Sequence, residues 1–202
     1  MSFKRIISKI WDFLWREDSL ASWLVNLVLA FVIVKFVIYP LLGFFLATSH
    51  PIVAVVSSSM EHQTNFDEWW RSQSDWYENY GFSKTEAKKW PFKNGFNKGD
   101  IMILRGKKPK NIMLGDVIVF RGNSNDPIIH RMIKKDINEG RYFFQTKGDN
   151  PLTNPDSFEA LGEVDIPQEN VIGTAVFRIP YLGWVKIFFV DILSKIGVKG
   201  LK

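Results

Sequence analysis

Apolar positions along this chain follow three rhythms, and each predicts a different kind of element. Phe3, Ile6, Ile7, Ile10, Phe13 and Leu14 recur at spacings of three and four, with Lys4, Ser8, Lys9, Asp12 and Arg16 between them. That pattern is an amphipathic helix, most simply lying on a membrane surface. From Leu24 to Ala47 nearly every position is apolar, broken chiefly by Asn26, Lys35, Pro40 and Gly43. A helix of about 24 residues at about 1.5 Å per residue spans about 36 Å, enough for a hydrocarbon layer of about 30 Å. The run is too long and too aromatic for the apolar core of a cleaved signal peptide, so it reads as a retained anchor. Lys35 is costly at mid-membrane, and Pro40 is expected to kink the exit turn.

After the anchor the texture changes to short runs rich in β-branched and aromatic residues. Ile52–Val56, Ile101–Arg105, Val117–Arg121, Ile128–Lys134, Arg141–Thr146 and Val171–Arg178 are bounded by Gly-Asp, Gly-Asn and proline turns, the signature of strands. Strands without intervening helices argue for an antiparallel sheet or small barrel. The expected fold class is therefore mainly β, with an N-terminal transmembrane helix. One segment breaks the pattern. Residues 63–97 hold Trp69, Trp70, Trp76, Tyr77, Tyr80 and Trp90 among many charges. Helices are predicted there over Asp67–Asn79 and Ser83–Lys89, and Ser83 and Glu86 form a capping box opening the second. This insert is expected to pack locally or meet headgroups, and to be dispensable for the geometry of any site. Tyr181 to Val198 is apolar but carries Lys186, Asp191 and Lys195, which favours a second interfacial helix over a second span.

The implied organisation is an amphipathic helix over 1–19, an anchor over 20–48, a folded domain over 49–180 and an interfacial helix over 181–202. Lys4, Arg5, Lys9 and Arg16 place the N-terminus in the cytoplasm by the positive-inside rule, and the folded domain then lies outside it, at the cell membrane. At 202 residues the chain is large enough for a substantial core. Its net charge of +5 arises from basic residues scattered among acids, which points to a lipid bilayer surface and not to nucleic acid. There are no cysteines, which excludes disulfides, thiolate catalysis and cysteine-bound zinc. The three histidines have no metal-ligand spacing, so no metal is expected.

Three separated segments hold candidate chemistry: Ser57-Ser58-Ser59-Met60-Glu61, Pro127-Ile-Ile-His130-Arg131 and Lys147-Gly148-Asp149-Asn150. Taken singly, each has an ordinary explanation as a polar turn, a half-buried strand histidine or a Gly-Asp turn. Together they contain a hydroxyl, a base and an acid, the parts that make a serine nucleophilic. His62 competes with His130 as the base, but closeness in sequence does not put its ring on the serine oxygen.

These segments, in this order, resemble type I signal peptidases, specifically the archaeal and endoplasmic-reticulum branch, which uses histidine where the bacterial branch uses lysine. The family motif Ser-Gly-Ser-Met-Glu-Pro falls on residues 57–62. The resemblance implies Ser59 as nucleophile, Ser57 as an oxyanion-hole donor and His130 as general base. A histidine base needs little tuning, because its ordinary pKa of about 6.5 is near operating pH. Two departures stand out: Ser58 replaces glycine and His62 replaces proline. The family's Lys-Gly-Asp-Asn is followed by a second aspartate that orients the histidine. Here Asp149 matches the first, while Pro155 falls at the second and Asp156 one residue beyond, so Asp156 and Asp149 both remain candidates. The resemblance further implies a signal-peptidase-type set of antiparallel sheets and no cofactor. It also implies a membrane-bound serine endopeptidase that removes signal peptides from preproteins after small residues, working beside the translocation machinery. A related dedicated maturation protease, or an inactive membrane-tethered β-domain, are the alternatives.

Overall fold

The computed structural model describes residues 3–195. The chain divides into two compact units, before and after Phe45.

In the first unit, α1 (Phe3–Trp15) carries the amphipathic pattern and α2 (Leu20–Ile33) begins the apolar run. Ser19 caps α2 by accepting from the Ser22 amide. The polar interruptions of this region have partners. Ser22 Oγ donates to the Phe13 carbonyl at 2.6 Å and Asn26 Nδ2 to that of Leu14 at 2.8 Å. Ahead of Pro40 the helix passes through a π-helical turn at Val34–Ile38 and continues into α3 (Tyr39–Leu46). A proline removes one ladder hydrogen bond and crowds the carbonyl four residues back, and a widened turn just ahead relieves both. The helix from Leu20 to Leu46 is 27 residues long and apolar enough to cross a membrane. The Lys35 ammonium lies 5.5 Å from the Phe31 ring and 5.4 Å from that of Phe36, its neighbours on the same helix.

The second unit is built on one antiparallel sheet, in spatial order β1-β2-β7-β3-β4-β5-β6. The strands are β1 (Ile52–Ala54), β2 (Ile101–Arg105), β3 (Val117–Phe120), β4 (Ile128–Asn138), β5 (Arg141–Lys147), β6 (Ile166–Pro167) and β7 (Val171–Ile179). Side chains alternate between the two faces of a strand, and β3 shows both faces covered. Val117 and Val119 join a core with Met60, Phe96, Met102 and Leu104, while Ile118 and Phe120 join another with Met132, Phe144 and Ile166. Such double coverage explains why β3 reads as an unbroken apolar run.

The insert forms α4 (Phe66–Asn79) and α5 (Lys84–Ala87), with the Ser83–Glu86 capping box present. Phe66, Trp69, Trp70, Tyr77, Phe82 and Trp90 pack together as expected, but they also include Ile133 of β4 in their cluster. The insert therefore packs on part of the sheet domain as well as on itself. At the C-terminal end, α6 spans Trp184–Lys195, and the portion of the expected interfacial helix beyond Lys195 lies outside the described residues.

Candidate active site

Two consecutive residues at the start of β4 are basic, and strand alternation sends them to opposite faces. His130, paired with Ile118 of β3, faces Ser59. Its Nε2 lies 2.8 Å from Ser59 Oγ, and its Nδ1 lies 2.5 Å from Glu163 Oε1. A carboxylate only accepts hydrogen bonds, so Nδ1 carries the hydrogen and donates to Glu163. Nε2 is left to accept from the Ser59 hydroxyl. All three side chains are buried, and Glu163 completely so. Its other oxygen accepts from Asn154 Nδ2 and from the Phe158 amide, both at 2.9 Å. These contacts fix the carboxylate that holds the imidazole in its tautomer.

Ser57 Oγ lies 3.0 Å from Ser59 Oγ, on the same turn. That turn is gripped from behind by the loop following β5. The Asn150 amide donates to the Ser59 carbonyl at 2.8 Å and Asn150 Nδ2 to the Ser58 carbonyl at 2.9 Å. Gly148 passes so close that a Cβ there would lie 2.7 Å from the Ser59 carbonyl oxygen, which only glycine permits without displacing the nucleophile turn.

Arg131 points the other way and is fully buried. Its Nε and one terminal nitrogen grip Asp149 bidentately at 2.8 and 2.6 Å. The remaining N–H groups donate to the carbonyls of Pro91, Phe92 and Gly115. Burial alone would raise the Asp149 carboxyl, yet the Arg131 charge and the hydrogen bonds from His62 and Arg131 hold it well below the ordinary carboxylate range. Beside it Lys147 is buried under Trp76 and Tyr77 and donates to the main-chain carbonyl of Gly148 and to the side-chain Oε1 of Gln73. Burial pushes the Lys147 ammonium down to about 8, against the attraction of Asp149 and Glu163.

Neither expected orienting aspartate touches His130. Asp149 lies with Arg131 because β4 turns these two neighbouring side chains to opposite sides. Asp156 is exposed and accepts from Trp76 Nε1 at 3.0 Å. Glu163 takes the orienting position instead. The sequence held one pointer to this, the one-residue offset that leaves Pro155 where the family's second aspartate falls. Asn154 is a partner of the carboxylate, and Glu163 is the carboxylate itself. His62, the rival base, sits on Asp149 and not on Ser59. Among the described residues no cluster of histidines and carboxylates has metal-binding geometry.

No protein-family model matches the chain. It is similar to the signal peptidase complex catalytic subunit SEC11 of Lachancea thermotolerans, 32% identical over 111 residues, which cover 52% of this chain and 66% of that protein. Signal peptidase complex catalytic subunit SEC11C of Homo sapiens is 33% identical over 98 residues, 48% of this chain and 51% of that one. The SEC11 protein of Fusarium vanettenii is 31% identical over 94 residues, 46% and 55% respectively. The chain thus matches between half and two thirds of the length of these relatives.

Proposed function

Starting from homology to signal peptidase catalytic subunits, we propose that this chain is a membrane-anchored serine endopeptidase that removes signal peptides from preproteins. The observation that carries the reading is the buried line Ser59 Oγ–His130–Glu163, with contacts of 2.8 and 2.5 Å. Ser59 Oγ attacks the scissile carbonyl while its proton passes to His130 Nε2. Glu163 stabilises the imidazolium that forms, without itself taking the proton. Negative charge builds on the former carbonyl oxygen, where the Ser59 amide and the Ser57 hydroxyl are the available donors. His130 next protonates the leaving amine, and water, deprotonated by the same imidazole, releases the acyl group.

The apolar helix Leu20–Leu46 supplies the anchor. The basic residues of α1 favour a cytoplasmic N-terminus and a catalytic domain on the opposite side. Cleavage after small side chains follows from kinship with the family.

The test is cleavage of a detergent-solubilised preprotein with alanine at the first and third positions before the cut. Ser59→Ala and His130→Ala each lower kcat by at least about three orders of magnitude, with the melting temperature retained. Ser57→Ala loses about 10²–10³ as a single oxyanion donor. Unchanged cleavage by Ser59→Ala would end the reading.

A further inference from the structure

Where the family motif ends in proline this chain has His62, and its imidazole is buried in the second network, away from the catalytic base. The ring stacks on Trp69, with centroids 4.1 Å apart and planes 12° from parallel. On another side it meets Gly95, where a Cβ would come within 2.6 Å of the ring. His62 Nε2 lies 3.1 Å from Asp149 Oδ2. Because the ionised Asp149 only accepts, Nε2 donates, and Nδ1 is left buried without a partner among the described residues. A ring with one unpaired nitrogen persists only where surrounding contacts over-determine its place. Trp69 adds a second tie, its Nε1 donating to the Asp149 main-chain carbonyl at 2.8 Å. Asp149 is thus held by His62 at its carboxylate and by Trp69 of the insert at its backbone.

Asp149 stands between the two residues that fix the nucleophile turn, Gly148 and Asn150. A shift of Asp149 must move both, and with them the carbonyls of Ser58 and Ser59. We propose that His62, just ahead of the insert, and Trp69 within it are positioning residues for Ser59, acting through Asp149 and Asn150. The proposal rests on the peptidase reading above for its catalytic consequence, but not for the mechanical coupling itself.

The experiment uses the full chain in detergent with His62→Ala, His62→Gln and Trp69→Phe. Deuterium exchange is followed in peptides covering 56–60 and 146–152, alongside kcat and KM. His62→Ala is expected to speed exchange in both peptides and to lower kcat about ten- to hundredfold with KM within about twofold, as for a misplacement near 1 Å. His62→Gln, whose amide nitrogen reaches the place of Nε2, restores most of the rate. Trp69→Phe keeps a ring on His62 but removes the donor, and lowers kcat by about three- to tenfold. Unchanged exchange in the two peptides, or a kcat of His62→Ala within twofold of the parent, overturns the proposal. So does faster exchange spread over the whole sheet with no recovery in the glutamine variant, which marks a merely structural role. If exchange responds as expected while the parent protein shows no Ser59-dependent cleavage, the coupling stands and the peptidase reading fails.

Discussion

Glu163 and Asp149 are both fully buried carboxylates, and each faces one of two adjacent basic residues on β4. What differs is the partner. Glu163 holds a histidine, a base that can take up and return a proton, and has its other oxygen satisfied by Asn154 and the Phe158 amide. Asp149 holds an arginine, whose charge is permanent, within a ring of donors from the insert. Equal burial therefore yields two kinds of site: one through which a proton can pass, and one in which a permanent charge holds its counter-charge. A single step along a strand separates them, because alternation directs neighbouring side chains to opposite faces.

Replacing each carboxylate by its amide separates the two most sharply. Glu163→Gln keeps the size of the side chain but removes the charge that stabilises imidazolium and fixes the tautomer. The expected loss in kcat is about 10⁴-fold, as for a triad acid changed to its amide, with little change in melting temperature. A loss below tenfold would take the orienting role away from Glu163. Asp149→Asn leaves the Arg131 charge buried without a counter-charge, and such half-pairs cost about 3–5 kcal/mol. Urea unfolding at pH 7 measures it. The sign with pH follows from the lowered carboxyl. In the parent protein this stability is present above the unfolded carboxylate value near 4 and is lost as pH falls through the folded value. The asparagine variant lacks that contribution at neutral pH, so the gap between the two closes toward acid. A constant gap from pH 7 to pH 2 would break the comparison.

Lys147 gives a third measurement, on the Asp149 side. Its folded value of about 8 lies below the ordinary 10.5, so between those limits the unfolded chain binds more protons. Stability therefore rises with pH across that window, by about 3 kcal/mol in all, and the penalty is complete below pH 8. Lys147→Met removes this slope. A parent protein with flat stability from pH 8 to 10.5 would mean that the ammonium is better solvated than its place under Trp76 and Tyr77 implies.

The parts of this arrangement visible in the sequence were those written in contiguous residues. The runs at Ile101–Arg105 and Val171–Arg178 correspond within a residue to β2 and β7, because β-branched side chains bounded by turns carry a local signal. Strand β6, with two residues, is too short to hold a period. The Ser59 and His130 segments could be read from motif. Glu163 could not, because its contact with His130 closes over 33 positions and no spacing rule links a buried glutamate to a strand so far away. Pro40 was read as a kink because local rules penalise proline in a helix, but the widened π turn ahead of it, at Val34–Ile38, has no local signature. The aromatic insert was read as self-contained for a similar reason. Composition reveals that rings will cluster, but not that Trp69 and Tyr77 also reach Asp149.

The smallest expected effect belongs to Asp156, and it tests the register of the acid. Asp156 is an exposed carboxylate whose side chain accepts from Trp76 Nε1 at 3.0 Å and from its neighbouring Ser157 amide at 2.7 Å. Exposed contacts of this kind are largely exchanged for water when one partner is removed, so their net worth is about 0.5–1.5 kcal/mol. Neither contact reaches His130 or the 148–150 loop. Asp156→Ala should lower stability by about 1 kcal/mol or less and leave kcat within about twofold of the parent, because the imidazole keeps Glu163 as its partner. Measured beside Glu163→Gln on the same preprotein, the two substitutions should differ by more than a thousandfold in kcat, on the order set by the amide change in a triad. Should Asp156→Ala instead fall as far as Glu163→Gln, the orienting acid would be the one at the family's spacing, and the buried glutamate would be a structural anchor for Asn154 and Phe158.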